Sequence, residues 1–194
     1  TKVLELLRQP LEDRKITIGR AMSTLSFPAH FMFIAARNPC PCGFLTDQEK
    51  KCACTNMQIQ KYQKKISGPL LDRIDLIIEV PRLEFKKLAS QEHNESSKII
   101  LERVKKARKI QQERFKNLKI FSNSEMDSGL TKKFCVLDEK GIDLMKQAVA
   151  NLQLSGRGYF RVLKVARTIA DLEENDNILN KHLAEALQYR GKEF

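Results

Sequence analysis

HFMFIAA, at residues 30–36, is an unbroken apolar run of strand length, and NPCPCG follows it at residues 38–43. A strand that is apolar on both faces is typical of the centre of a parallel sheet covered by helices. IDLIIEV, at residues 74–80, is a second strand-like run, and Pro81 ends it because proline cannot donate to a strand ladder. The two runs predict an α/β fold with a doubly wound parallel sheet.

The segment between these runs is expected to hold a loop and a helix. Residues 40–54 contain Pro, Gly and charged residues, and residues 55–66 predict a helix capped by Thr55 or Asn56. Two core strands are fewer than a doubly wound sheet normally has, so we expect the missing strands to precede Thr1. The chain is therefore interpreted as a piece of a longer protein.

The chain upstream of the first run predicts a β-hairpin. Residues 15–18 and 24–27 have strand character, and they flank a short polar turn at residues 19–23.

Beyond Pro81 the pattern changes to helices separated by polar loops. Helical periodicity covers residues 95–116 and 138–152, and a third helix follows Ser155. The sequence also predicts a loop at 117–133 and a last helix from Asn180 to Tyr189, with Asn180 as its cap. We therefore divide the chain into an incomplete α/β domain, residues 1–81, and an all-helical domain, residues 82–194.

Composition limits the partners and the compartment. The 194 residues include 35 Lys and Arg against 24 Asp and Glu, a net charge of +11, which suits an acidic partner such as nucleic acid or nucleotide phosphate. No apolar run is long enough to span a membrane, and no signal peptide is evident. The odd count of five cysteines favours the reducing cytoplasm, where grouped cysteines more often hold metal or stay reduced than form disulfides.

Four of the cysteines form two close pairs on one loop, Cys40 with Cys42 and Cys52 with Cys54. Zinc takes four thiolate ligands in a tetrahedron, so the loop is a candidate structural zinc site. One intervening residue within each pair is fewer than most zinc sites have, and ordinary buried or surface thiols remain the alternative. Cys135 stands alone and is interpreted as a small buried residue.

Two polar residues follow or precede the predicted strands. Asn38 lies at the carboxyl end of the first run, where open α/β sheets place ligand-contacting side chains, although an Asn before proline also suits a turn. Arg73 lies just before the second run, where its planar fork suits phosphate recognition, although a local ion pair with Asp72 or Asp75 is the simpler interpretation.

The helix after Ser155 carries a basic face. Arg157, Arg161 and Lys164 recur at helical spacing, and phosphate can approach the first turn, although a solvated surface face is the simpler interpretation of the spacing alone. Arg167 falls nearer the apolar side and is expected to pair with a buried acid.

Taken in order, four motifs resemble the magnesium-chelatase-like AAA+ ATPases, most closely the competence-associated branch called ComM or YifB. The resemblance covers nearly the whole chain. The motifs are LRQPLE at 7–12, NPCPCG at 38–43, SGPLLDRID at 67–75 and VARTIADL at 165–172.

The resemblance implies roles for individual residues. Asn38 corresponds to the sensor 1 residue that polarises the attacking water, and Arg73 to an arginine finger that completes the site of a neighbouring subunit. Arg157 is the better candidate for the sensor 2 arginine of a helical lid, with Arg161 as the alternative.

The resemblance also implies partners. The hairpin at residues 15–27 is similar to a pre-sensor hairpin that faces a central channel, so Arg14, Lys15 and Arg20 are candidates for contact with DNA phosphates. The expected parent is a hexameric ring that uses ATP and magnesium to move on DNA in the cytoplasm.

The 194 residues lack the GxxxxGK[ST] phosphate loop and the acidic strand end that holds magnesium, so we expect this chain alone to be inactive as an ATPase. Two other functions stay open. One is the ATPase subunit of a magnesium chelatase, against which the four-cysteine loop argues. The other is a non-enzymatic, zinc-stabilised module that binds nucleic acid through its basic surface.

Overall fold

The computed structural model describes residues 2–20, 23–83 and 95–190. These residues form two compact units. Unit 1 contains the described residues up to Ile74 together with Glu79–Leu83, and unit 2 contains Asp75–Ile78 and the described residues from 95 onward. Within the described part, each helix is too short or too polar to cross a membrane.

Unit 1 contains short helices and one hairpin. Its elements are α1 Lys2–Glu5, α2 Arg8–Asp13, β1 Lys15–Arg20, β2 Ser23–Pro28, α3 Asn56–Gln63 and α4 Gly68–Leu71. Arg14 ends α2 in the left-handed region at φ 55°, and its N–H donates to the carbonyl of Pro10, which turns the chain into β1.

The predicted hairpin is confirmed. β1 and β2 pair antiparallel, with Ile16 opposite Phe27 and Ile18 opposite Leu25. Directly opposed residues share a face of a sheet, so these four apolar side chains form one face, and each is about half exposed.

The two predicted core strands are not paired in this structure. Residues 30–36 and 74–80 have no regular secondary structure, and the hairpin is the sheet that the described residues form. A strand needs a neighbour to receive its hydrogen bonds, and neither run has one here. Their side chains are left exposed, with Met32, Ile34 and Val80 each more than 80% accessible. The doubly wound sheet is thus not confirmed.

The helix predicted between the runs is confirmed, and Thr55 is its cap. The Thr55 hydroxyl accepts from the backbone N–H of Gln58, and the Gln58 side chain accepts from the N–H of Thr55. This reciprocal capping box satisfies two otherwise unpaired donors at the start of α3.

Unit 2 is a helical bundle. Its helices are α5 Ser97–Arg114, α6 Ser128–Phe134, α7 Glu139–Asn151, α8 Gly156–Leu172 and α9 Asn180–Gln188. α8 lies centrally and packs against α5, α6 and α9. The buried core is one cluster drawn from these helices and the turns between them: Phe115, Met126, Cys135, Met145, Ala148, Val162, Leu163, Ala166, Ile169, Ala170, Ile178, Leu183 and Ala186.

Two sequence predictions for unit 2 are wrong in detail. The expected loop at 117–133 contains a short 3₁₀ turn at Asn123–Glu125 and the seven-residue α6, which is too brief to show helical periodicity. α6 begins where Asp127 accepts from the N–H of Leu130. α9 is capped at Leu179 and not at Asn180, because the Nδ1 atom of buried His182 accepts the Leu179 N–H at 3.0 Å.

Arg167 pairs with a buried acid, as predicted. Its Nε lies 3.1 Å from a carboxylate oxygen of Asp171, which is fully buried. The same carboxylate accepts from Arg114 and from the Asn123 amide, and Arg167 also donates to the backbone carbonyls of residues 175 and 176. This network joins α5, the 3₁₀ turn and α8. Cys135 is also buried as predicted, and burial raises the pKa of its thiol to about 12.

Candidate functional site

The four loop cysteines of unit 1 converge on one point. Cys40 is fully buried, and its Sγ lies 3.4 Å from that of Cys42 and 3.7 Å from that of Cys52. The Cys42 and Cys52 sulfurs are 3.5 Å apart, and all four Sγ atoms, including that of Cys54, lie within 4.8 Å of one another. A tetrahedron with Zn–S bonds of about 2.3 Å has edges of about 3.8 Å. The sulfur spacing therefore fits a tetrahedral metal ion.

Local turns bring the two cysteine pairs together. The N–H of Gly43 donates to the carbonyl of Cys40, and Gly43 has φ +83°, a conformation that side-chain-bearing residues rarely adopt. Farther along the loop, Asp47 accepts from the backbone N–H groups of Glu49 and Lys50 at 2.8 Å each. These hydrogen bonds, with Arg82 3.6 Å from the Asp47 carboxylate, hold the pKa of Asp47 below its usual value.

The thiols of the cluster differ in their pKa values. The backbone N–H of Phe44, with further donors, lowers the pKa of Cys42 to about 6. The N–H of Cys54 acts to lower the pKa of Cys52, but desolvation and the neighbouring sulfurs outweigh it and raise that pKa to about 12. Desolvation also raises the pKa of Cys54. Sulfurs this close repel one another as thiolates, and a divalent cation would remove that repulsion.

Asn38 lies beside this cluster and is exposed. A Cβ placed on Gly43 would lie 3.8 Å from the side-chain carbon of Asn38, so the amide packs against the turn that begins the cysteine loop. The cysteine loop thus gives the Asn38 side chain a neighbour, although the described residues do not form the sheet edge that the sequence predicts at this position.

Arg73 is held within unit 1. Its Nε lies 2.9 Å from a carboxylate oxygen of Glu12, and its Nη1 donates to the carbonyl of Pro69 at 2.6 Å. The Arg73 side chain is only 10% exposed. The acid that pairs with it comes from the LRQPLE motif, a partner that sequence reasoning missed because it is distant in the chain.

A cavity of about 220 Å³ lies in unit 1 between the apolar run and the SGPLLDRID motif. Arg37, next to Asn38, lines it together with Lys64, Gly68 and Leu71. This cavity therefore lies between the residue next to Asn38 and the start of α4.

The two candidate sensor arginines in unit 2 have different surroundings. Arg161 is mostly buried and forms an ion pair with Asp75, the last residue of SGPLLDRID. Close by, the N–H of Ile77 donates to the carbonyl of Tyr189, so a second contact holds the segment 75–78 against the helices of unit 2, to which it belongs. Arg157 lies exposed in the first turn of α8. The sequence did not indicate the contact of Asp75 with α8.

The candidate DNA-binding residues lie at the base and along one strand of the hairpin. Arg14 occupies the turn before β1, and Lys15 is exposed at the start of that strand. Arg20 ends β1, opposite Ser23, but its side chain lies outside the described part of the structure.

Comparison with known proteins identifies the protein family to which this chain belongs. Residues 1–88 match the family described as "Magnesium chelatase, subunit ChlI", and residues 94–190 match "Magnesium chelatase, subunit ChlI C-terminal". The chain belongs to this magnesium chelatase family, which confirms the resemblance drawn from the four motifs.

The chain is also similar to individual proteins over nearly its whole length. The chain is 43% identical over 190 residues to "Competence protein ComM" of Haemophilus influenzae and 38% identical over 191 residues to "Uncharacterized protein YifB" of Salmonella typhimurium. It is 33% identical over 187 residues to "Uncharacterized protein Rv2897c" of Mycobacterium tuberculosis. Each match covers 96–97% of this chain but only 36–37% of the relative, so the chain spans a little over a third of their length.

Proposed function

We propose that this chain is part of a hexameric, ATP-driven AAA+ motor that acts on DNA. The observation that carries the proposal is the match over 97% of the chain to "Competence protein ComM", together with the matches of the chain to the magnesium chelatase family. In this proposal unit 1 is the C-terminal portion of a doubly wound α/β core and unit 2 is its helical lid. The exposed apolar runs at 30–36 and 74–80 are then strands whose neighbours belong to the remainder of the protein.

Three polar residues of this chain would act on the bound nucleotide. Asn38 would orient the attacking water through its exposed amide, and Arg73 would present its guanidinium to the nucleotide of the adjacent subunit. Because Arg73 is paired with Glu12 in the separate chain, assembly would have to exchange that carboxylate for phosphate oxygens. Bound magnesium and ATP would supply the reactive phosphoryl group and neutralise part of its charge.

Arg157 is the better sensor 2 residue of the two candidates. The Arg161 guanidinium is mostly buried and already pairs with Asp75, whose carboxylate is about half exposed. Arg157 is exposed at the first turn of α8, where the helix dipole also favours an anion.

The cysteine cluster is proposed as a structural zinc site. Four thiol ligands with no open position suit a structural rather than a catalytic metal, and the sulfur spacing fits the ion. Elemental analysis of protein purified without added metal should give about one zinc per chain, as one closed four-ligand site requires. A content near zero, with all four thiols freely titratable, would exclude zinc.

ATP hydrolysis by the full-length protein, measured with and without DNA, tests the motor proposal. We expect DNA to stimulate hydrolysis and Arg73→Ala to abolish the stimulation, with a loss of about 10³-fold or more for an arginine finger. Glu12→Gln is the matched control, because it breaks the same ion pair without removing the guanidinium. Equal losses in the two variants would make Arg73 a structural residue, and hydrolysis indifferent to DNA would favour a chelatase-type ATPase.

A further inference from the structure

Helix α5 and the turn after it hold a large share of the positive charge of the protein. Residues 95–119 contain nine Lys and Arg against three Glu, whereas the whole chain has 35 against 24. The apolar side of α5 packs on the bundle through Ala107 and the buried side chain of Gln111. Of the cations of α5, Arg114 belongs to the buried network around Asp171, whereas the others are exposed on the helix surface.

Three lysines lie in a line on the face of α5 that points away from the bundle. Lys98, Lys105 and Lys109 are spaced at i, i+7 and i+11, which places them within about 40° of one another around the helix. Ala107 lies on the opposite side, and all three lysines are exposed. We call these three residues the basic stripe, and it extends about 16 Å along the helix axis.

Little negative charge compensates the basic stripe. Lys105 pairs with Glu102 at 2.9 Å, but both side chains are about 60% exposed, and such pairs contribute little. In the described part of the chain, Lys98 and Lys109 have no carboxylate within ion-pair distance. Exposed Arg108 and Lys116 add further cations at the border of the stripe.

The dimensions of the stripe match those of a nucleic-acid backbone. One strand of a DNA duplex carries a phosphate every 3.4 Å along the helix axis, so 16 Å corresponds to about five phosphates. Lysine is a compact charge on a flexible stem, and it neutralises phosphates without reading bases.

We propose that the basic stripe on α5 binds the phosphate backbone of duplex DNA, as a contact separate from the hairpin residues. The inference rests on the proposed DNA motor and assigns one of its DNA-contacting faces to unit 2. Binding through the stripe is independent of sequence and strongly dependent on salt, because each neutralised phosphate releases counterions.

The test measures binding of the full-length protein to fluorescently labelled duplex DNA of arbitrary sequence over a salt series. The variant is Lys98→Gln/Lys105→Gln/Lys109→Gln. The matched control is Lys132→Gln/Lys140→Gln/Lys146→Gln, which removes the same charge from exposed positions on α6 and α7. Lys146, like Lys105, belongs to an exposed i,i+3 ion pair, so each triple variant breaks one such pair.

The stripe variant should bind DNA more weakly than the control at every salt concentration. The slope of log affinity against log salt is negative, and in the stripe variant its magnitude should be smaller by nearly three, because each lost phosphate contact removes about 0.9. Equal slopes in the two variants would overturn the stripe and leave the motor proposal intact. Absence of DNA binding by the unmodified protein would overturn both.

Assembly has to be measured on the same samples by light scattering. If the stripe variant loses DNA binding only because it no longer assembles, the stripe is a contact between proteins and the proposal is wrong. Unchanged assembly together with the reduced slope supports it.

Discussion

The two units of this chain are stabilised in different ways. Unit 2 encloses thirteen buried apolar side chains in one cluster, whereas the buried apolar residues described in unit 1 are Pro10, Cys40 and Leu70. Unit 1 also exposes large apolar side chains such as Met32 and Ile34. The comparison indicates that unit 2 has a core of its own, and we expect unit 1 to depend on the cysteine cluster for much of its stability.

Removing metal from the cysteine loop should have the largest effect, and that effect should be confined to unit 1. Structural zinc in small peptides contributes apparent binding free energies of about 10–16 kcal/mol at neutral pH. α3 begins directly after Cys54 and has only eight residues, so it is marginal without an anchored loop. Amide hydrogen exchange of the full-length protein should therefore show loss of protection in α3 after chelation, with α8 unchanged.

Cysteine variants give the matched control for this experiment. Cys54→Ala should reproduce the loss of protection and of bound metal, whereas Cys135→Ala should leave the metal content unchanged. Equal protection of α3 with and without metal would contradict the dependence of unit 1 on the cluster.

Breaking the buried network of unit 2 should have the next largest effect. Asp171→Ala leaves Arg114 and Arg167 without their shared carboxylate, and removing one partner of a buried pair costs about 3–5 kcal/mol. Exchange of the α8 amides should accelerate accordingly. Asp143→Ala breaks an exposed pair with Lys146, and it should change the free energy of unfolding by less than about 0.5 kcal/mol. Similar effects in the two variants would show that the network is dispensable.

Sequence reasoning succeeded where the signals are local. Helical periodicity located α5, α7, α8 and α9, and the polar turn at 19–23 identified the hairpin. It also grouped the four cysteines that the fold brings together. α6 escaped detection because seven residues show barely two helical turns, and its signal was the capping Asp127.

The unpredicted features depend on long-range contacts. The pairing of Arg73 with Glu12 joins residues sixty-one positions apart, and that of Arg161 with Asp75 joins residues eighty-six positions apart. An apolar run shows that a segment can form a buried strand, but its pairing depends on neighbours that the sequence of the run does not contain. For this reason residues 30–36 carry strand composition without strand pairing.

Removing a helix cap should have the smallest effect. One such cap can be removed from each unit, so the same type of change is compared in both. Thr55→Ala and Asp138→Ala each remove a side-chain acceptor at a helix N-terminus, at a cost of about 1 kcal/mol. The same loss should expose α3 to exchange more than α7, because α7 is also held by the buried Met145 and Ala148. Greater exposure of α7 would reverse the ranking of the two units.

The proposal that Arg73 acts across a subunit boundary is tested most directly by mixing two inactive full-length variants. Asn38→Ala and Arg73→Ala should each lose DNA-stimulated ATP hydrolysis when assembled alone. In mixed rings, some interfaces join an intact Asn38 of one subunit to an intact Arg73 of the next, so hydrolysis should reappear on coassembly. Mixtures that coassemble but remain as inactive as the separate variants would contradict a finger that acts in trans.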